Sequence, residues 1–395
     1  MLGYLLVAAI AAVVTFAVTP FVRRFATRIG AVAMPGARNV HKRPTATLGG
    51  AAMFVGFLAA MAVASRLDQF HEMFDGSTEP LGVVLAAGVM FFVGALDDVR
   101  EVSPPAKIAG QVLSASVLSL MGVTMLYFRV PFLSSEYVIL SPDLAPLVTV
   151  VTVVLIANAI NLIDGLDGLA AGVTLIASVA MLIYSDRMFD AGLLEGSNIA
   201  PLVAALTAGV CAGFLPWNFN PARIFMGDAG ALFLGLLLAA QVITIGGRTS
   251  DQFSGQTYFF FAPLVIPLVI LGVPIVDTVF SFFRRLVKRK SFATADTDHL
   301  HHRLMRLGHG PRRSVTILWL WTALLSGLVL VPTFTGEGNA LVPFGVVALA
   351  LLLFGYFNPG RKAGPIEETA TDEPERSAGG DPAPEVVDLN AHRRR

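Results

Sequence analysis

The sequence predicts an all-α, polytopic integral membrane protein with about 11 transmembrane helices, its N-terminus outside and its C-terminus cytoplasmic. Three observations predict it. The 395-residue chain is 55% hydrophobic and only 14% charged, with a mean hydropathy of +0.70, whereas a soluble domain carries about 25% charged residues. Apolar runs approaching the roughly 20 residues that cross a hydrocarbon core recur near 2–22, 47–65, 81–96, 107–127, 146–160, 168–185, 199–215, 230–246, 259–283, 314–332 and 339–357. The basic residues between those runs fall almost entirely on alternate sides.

The first run has no basic stretch before it and no small-residue cleavage site after it. Arg23 and Arg24 follow at once, so the run reads as an anchor that leaves the N-terminus outside. With that orientation the outer loops hold Arg66, Arg129, Arg187 and Arg248, which leaves 24 of the 28 Lys and Arg residues on the cytoplasmic side, as the positive-inside rule requires. The formal net charge of zero hides this asymmetry and gives no reason to expect a nucleic-acid partner. Cys211 is the single cysteine; it lies within the seventh run, can form no intrachain disulfide and reads as a small packing residue. Residues 1–357 form the expected membrane domain. Residues 358–395, rich in Pro, Gly and charge, cannot offset the entropy of ordering and are expected to be a disordered cytoplasmic tail.

Four polar stretches interrupt the apolar chain: Leu96–Lys107, Asn158–Ala170, Asn218–Asp228 and Asp298–Arg303. The topology places all four on the cytoplasmic face. In the first, Asp97 and Asp98 end the third run, Pro104 and Pro105 break the loop, and Lys107 opens the fourth run. Adjacent carboxylates at a membrane boundary need a cation or a donor nearby, which Lys107 or a divalent metal with phosphate would supply. In the second, Asn158, Asn161, Asp164 and Asp167 recur every three residues, so any helical part shares one polar face, while Gly165 and Gly168 interrupt it. Four such groups between apolar spans suit amides that read a nucleobase or sugar and carboxylates that take hydroxyls or a metal.

In the third stretch Asp228 lies between Gly227 and Gly230 at the start of the eighth run. Such an oxygen ligand suits Mg²⁺, and a plain helix N-cap is the alternative. The last stretch brings His299, His301, His302 and Arg303 beside Asp298 as a donor-rich patch. Without Cys or Glu at ligand spacing, diphosphate oxygens suit it better than zinc. Upstream, 41–50 (HKRPTATLGG) offers His41, basic residues and the Gly49-Gly50 pair, which reads either as a loop able to approach a phosphate or as ordinary positive-inside bias. Asp277, within the ninth run, is a further carboxylate.

Taken in order, these motifs resemble the polyprenyl-phosphate N-acetylhexosamine-1-phosphate transferase superfamily. The resemblance rests on Asp97-Asp98 with Lys107 and Gln111, on N-x-x-N-x-x-D-G-x-D-G-L-A at 158–170, on F-M-G-D at 225–228 and on H-x-H-H-R at 299–303, and it covers about residues 35–310. The DHLHHRL loop is similar to the branch that uses UDP-N-acetylglucosamine, not to the branch that makes the lipid-linked peptidoglycan precursor. Ala231 stands where members often have Ser.

The resemblance implies an enzyme of the plasma (inner cell) membrane with its active site on the cytoplasmic face. A polyprenyl phosphate attacks the β-phosphorus of UDP-N-acetylglucosamine, giving polyprenyl diphosphate N-acetylglucosamine and UMP and starting a cell-envelope glycopolymer. It implies Mg²⁺, with Mn²⁺ as a substitute, bound by Asp228 with Asn161. Asp97 or Asp98 orients or deprotonates the lipid phosphate and Lys107 neutralises charge. Asn158, Asp164 and Asp167 hold uridine or ribose, and His299, His301, His302 and Arg303, with His41, serve the diphosphate and sugar side. A homodimer is common among members. The rival readings are the same chemistry on UDP-MurNAc-pentapeptide or another UDP-sugar, and a secondary transporter with intramembrane ion sites.

Overall fold

The computed structural model describes residues 1–34, 44–128, 138–194, 197–246, 310–335 and 346–347. The chain divides into a unit Met1–Gly360 and a unit Arg361–Arg395; the second, which takes in nearly all of the expected tail, lies outside the described residues. So do His41, Asp277, Asp298, His299, His301, His302 and Arg303.

The described residues of the first unit are mostly helical. In chain order the helices are α1 (Leu2–Ile29), α2 (Gly50–Ala64), α3 (His71–Gly76), α4 (Glu79–Val99), α5 (Pro104–Leu120), α6 (Leu144–Ile163), α7 (Leu169–Asp190), α8 (Ala200–Asn218), α9 (Gly227–Gly246) and α10 (Pro311–Thr335). Among the described residues, six (α1, α4, α6, α7, α8 and α9) are long and apolar enough to cross a membrane. The chain is therefore a multi-pass membrane protein in its composition and helix lengths.

Three details depart from the reading of the sequence. The run near 47–65 is a 15-residue α2 that turns by 92° into the segment Asp68–Gly76, because an apolar run records burial and not direction. The first run does not stop before Arg23: α1 continues to Ile29, where Gly30 takes a left-handed conformation (φ 79°) and ends it, since nothing between Phe21 and Ile29 breaks a helix. The fold is also not purely α. Two antiparallel hairpins, β1 (Val32–Ala33) with β2 (Thr45–Ala46) and β3 (Tyr127–Phe128) with β4 (Val138–Ile139), pair only two residues a strand, too few to leave an alternation in the sequence.

Helix α9 sits at the centre. It is apolar all round, as a helix without a solvent face must be, and 94% of its most apolar window is buried against 22% for α1. It packs on α4, α6, α8 and α2, while α1 packs on α8 and α2, and α10 on α7. Between α1 and α8 the helices touch through Gly209 and Gly213, where any side chain would strike the Ala8 and Ala12 carbonyls; small residues four apart allow such close approach. Phe54 of α2 stacks on Phe91 of α4 (4.6 Å, 9°), and Phe57 meets Phe233 of α9 edge-on (5.5 Å), which fixes the rotation of α9 relative to its neighbours.

Candidate active site

The site lies where α4, α6 and α8 end and where α5, α7 and α9 begin. Three of the four polar stretches meet there. Asp97 and Asp98, adjacent on the last turn of α4, point about 100° apart around the helix and do different things. Asp97 accepts the Val102 N–H (2.8 Å) and the Lys107 ammonium (3.1 Å), which closes the short connection into α5. Asp98 accepts the backbone N–H groups of Asp228 (2.9 Å) and Ala229 (3.0 Å). Those are donors in the first turn of α9, which no intrahelical carbonyl can satisfy, and an anion there is further favoured by the helix dipole. Gly227 makes the approach feasible: its φ is 69°, and a Cβ on it would collide with the Asp98 carboxylate.

Asp228 is thus held at a fixed height at the head of α9. Its Oδ2 pairs with Lys107 Nζ, and its Oδ1 accepts the Asn161 amide (2.8 Å). Asp97, Lys107, Asp228 and Asn161 form one continuous polar chain across α4, α5, α9 and α6. Behind it, Gln111 and Asn158 pair amide to amide (2.6 and 3.4 Å), and Asn158 also donates to the Val154 carbonyl (2.7 Å). Asn158 is occupied within the protein in this structure.

The second motif is a helix, a turn and a helix. Asn158 and Asn161 share the last turns of α6, Asp164 is its C-terminal cap, and Gly168, left-handed at φ 79°, starts α7. Asp167, buried in the turn, accepts the Asn220 amide (2.9 Å) and the Ala222 N–H (3.0 Å) through Oδ2. The Gly168 N–H donates to Asn218 Oδ1 (3.0 Å), and Asn218 donates to the Ile224 carbonyl (3.0 Å). Asn218 and Asn220 carry no role in the reading of the sequence. A pair of amides on either side of a helix end, just before a proline, was the signal available there. Arg312 of α10 donates to the Asn220 carbonyl (2.9 Å), which brings the start of α10 to the same edge.

The Gly49-Gly50 pair is turned toward the protein. Its N–H groups donate to the Phe225 and Met226 carbonyls (2.9 and 2.8 Å), and the Phe225 N–H donates to Ala46 (2.9 Å). They brace the segment that delivers Asp228 and do not face outward to a phosphate.

Desolvation pushes the half-buried Asp164 carboxyl well above the usual carboxylate range, and Asp98 and Asp167 push it further. Among the described residues no three His, Cys, Asp or Glu side chains are grouped to cage an ion. One carboxylate, Asp228, with an adjacent amide, Asn161, fits Mg²⁺, which is commonly held by one or two carboxylates together with phosphate oxygens and water.

Residues 80–246 match the family model described as Glycosyl transferase family 4, and that span contains Asp97, Asp98, Lys107, Asn158, Asn161, Asp164, Asp167 and Asp228. The chain is 35% identical over 356 residues to the decaprenyl-phosphate N-acetylglucosaminephosphotransferase of Mycolicibacterium smegmatis, covering 88% of this chain and 86% of that protein. The chain belongs to glycosyl transferase family 4. The Mycobacterium tuberculosis H37Rv protein of the same name is 37% identical over 354 residues, 87% of this chain and 86% of its own. More distant is the undecaprenyl-phosphate alpha-N-acetylglucosaminyl 1-phosphate transferase of Escherichia coli K12, 26% identical over 346 residues, 85% of this chain and 86% of its own. Membership in the family bears out the resemblance drawn from the motifs and leaves no place for the transporter reading.

Proposed function

We propose that this chain transfers N-acetylglucosamine 1-phosphate from UDP-N-acetylglucosamine to a polyprenyl phosphate, releasing UMP. The observation that carries it is Asp228 at the head of the buried helix α9, bonded to both Lys107 and Asn161 and anchored from below by Asp98, in a chain whose relatives are named for this transfer. An oxygen of the acceptor phosphate forms a bond to the β-phosphorus. The bond from that phosphorus to the bridging oxygen breaks, and the electron pair leaves with UMP.

Phosphoryl transfer is mainly positioning and charge stabilisation, and the roles follow from where each group points. Lys107, between Asp97 and Asp228, neutralises the entering phosphate. Asp97, bonded to that lysine, orients the acceptor on the α4–α5 side. A phosphate monoester has a second pKa of about 6 and is already largely ionised near neutrality, so positioning matters more than proton removal. Asp98 is given to the α9 turn and acts by placing Asp228. Asp228 with Asn161 is the Mg²⁺ site, where the bound ion would offset diphosphate charge. Asp164, and the Asp167 turn with Asn158 behind it, form the nucleoside side. His41, His299, His301, His302 and Arg303, outside the described residues, are assigned to the diphosphate and sugar.

The finer topology belongs to the same proposal: eleven spans, the N-terminus outside, the site on the cytoplasmic face of the plasma membrane, residues 1–357 as membrane domain and a disordered cytoplasmic tail. The confinement of nearly all basic residues to alternate loops supports it.

The test is an assay of detergent-purified protein with polyprenyl phosphate, Mg²⁺ and radiolabelled UDP-N-acetylglucosamine. Label enters the organic phase with equimolar UMP, and EDTA abolishes it. Transfer from UDP-MurNAc-pentapeptide and none from UDP-N-acetylglucosamine would overturn the donor and keep the mechanism.

A further inference from the structure

Helix α1 ends in a feature that the transfer reaction does not use. A groove of about 620 Å³ runs between its last turns and the end of α8, lined by Pro20, Arg23, Arg24, Thr27, Arg28 and Trp217. Pro20 has no N–H, so the Phe16 carbonyl four residues earlier lacks its helical donor. The Trp217 indole N–H donates to that carbonyl instead (3.2 Å). Phe16 packs on one part of the indole (5.4 Å), and the Arg223 guanidinium sits over it at 5.6 Å. Trp217 is therefore fixed as one wall of the groove.

The other wall is cationic. Arg24 and Arg28 are one turn apart, a like-charge spacing that weakens a helix on its own, and Arg23 adds a third charge. Among the described residues no carboxylate forms an ion pair with any of the three. Phe21 and Phe25, on the same turns, are 65% and 55% exposed. An arginine-rich groove between helices, with a tryptophan and exposed phenylalanines at its rim, matches a lipid whose phosphate meets the guanidiniums while its chains lie along the rings.

We propose that the groove between α1 and α8 binds the headgroup phosphate of an anionic phospholipid from the leaflet on the active-site side. The groove lies on that side: the chain leaves α1 through the β1–β2 hairpin, whose Ala46 carbonyl accepts the Phe225 N–H, and the Arg223 N–H donates to the Trp217 carbonyl (2.8 Å). A lipid against Trp217 thus supports the 218–226 segment that leads into Asp228. The proposal does not depend on which sugar nucleotide is the donor.

The test is native mass spectrometry of the full-length protein released from bilayers of phosphatidylcholine with phosphatidylglycerol, without donor or acceptor. Wild type retains phosphatidylglycerol over phosphatidylcholine, and retention falls about fivefold for each arginine removed, the equivalent of about 1 kcal/mol per charge. The variant R23Q/R24Q/R28Q keeps helix-forming side chains and still turns over in neutral bilayers, but loses the lipid. Should it fail to fold, the single Arg24→Gln carries the same comparison with a smaller drop. Equal retention by wild type and variant overturns the proposal. So does displacement of phosphatidylglycerol by equimolar polyprenyl phosphate, which would make the groove part of the acceptor's path.

Discussion

Asp228 and Asp167 are both aspartates beside a glycine, both at helix starts, and both tied to the 218–228 segment, yet their surroundings differ. Asp228 meets an ammonium and an amide side chain. Asp167 is buried and meets an amide and a backbone N–H. A carboxylate facing a side-chain cation can exchange that partner for a metal ion; one built into a turn by hydrogen bonds shapes what the turn presents. The difference separates a charge-handling edge, made by α4, α5 and α9, from a shape-defining edge, made by the α6–α7 turn and the end of α8.

The largest effects are expected on the first edge, at Asp228 and at Lys107. Lys107→Met leaves Asp97 and Asp228 without their shared cation, and kcat should fall by about a hundredfold or more, roughly the loss seen when one preorganised charge is removed from a transition state. Steady-state rates at saturating donor and acceptor measure it. Unchanged kcat would move the charge-handling role elsewhere.

Next comes the geometry that supports Asp228. Gly227→Ala places a methyl against the Asp98 carboxylate at a backbone conformation that disfavours side chains, and about a tenfold loss of turnover is expected, near 1.4 kcal/mol. In an Asp98→Ala background the same substitution should cost less, since the collision is gone. Equal losses in both backgrounds would show that Asp98 and Gly227 act independently.

How much of this was legible beforehand differs between the two edges. The runs that became α4, α6, α8 and α9 were read to within a few residues, because continuous apolar stretches bounded by Asp, Asn or Pro leave little choice of register. Alternating topology puts the stretches that hold Asp97, Lys107, Asn161 and Asp228 on one face; which of their side chains meet is not legible from it. Nor is what separates Asp97 from Asp98: the two are neighbours in sequence, and only the packing of α4 on α9 decides which one reaches the α9 turn. The bracing by Asn218 and the Gly49-Gly50 pair was hidden for the same reason, since backbone groups as partners leave no mark in side-chain identity.

The smallest effect concerns stability on the shape-defining edge. The Asp164 carboxyl is raised in the folded protein relative to about 3.9 when unfolded. Its protonated form is therefore favoured by folding: stability is highest below the unfolded value and declines as pH rises toward the folded one. Without divalent cation at neutral pH, Asp164→Asn should raise the melting temperature and flatten its decline with pH. Thermal unfolding in EDTA across acid to neutral pH checks it, and a lower melting temperature for the variant would refute the cost of burying the Asp164 carboxylate.

The most direct test of the division is the kinetic split between Asp228→Asn and Asp167→Ala, measured with radiolabelled UDP-N-acetylglucosamine over a range of donor and Mg²⁺ concentrations. Asp228→Asn should lose about a thousandfold or more in kcat and its response to Mg²⁺, with donor KM little changed. Asp167→Ala should raise donor KM about tenfold, near 1.4 kcal/mol of binding, and keep most of kcat. The reverse pattern, with Asp228→Asn showing full Mg²⁺-dependent turnover, would contradict the account.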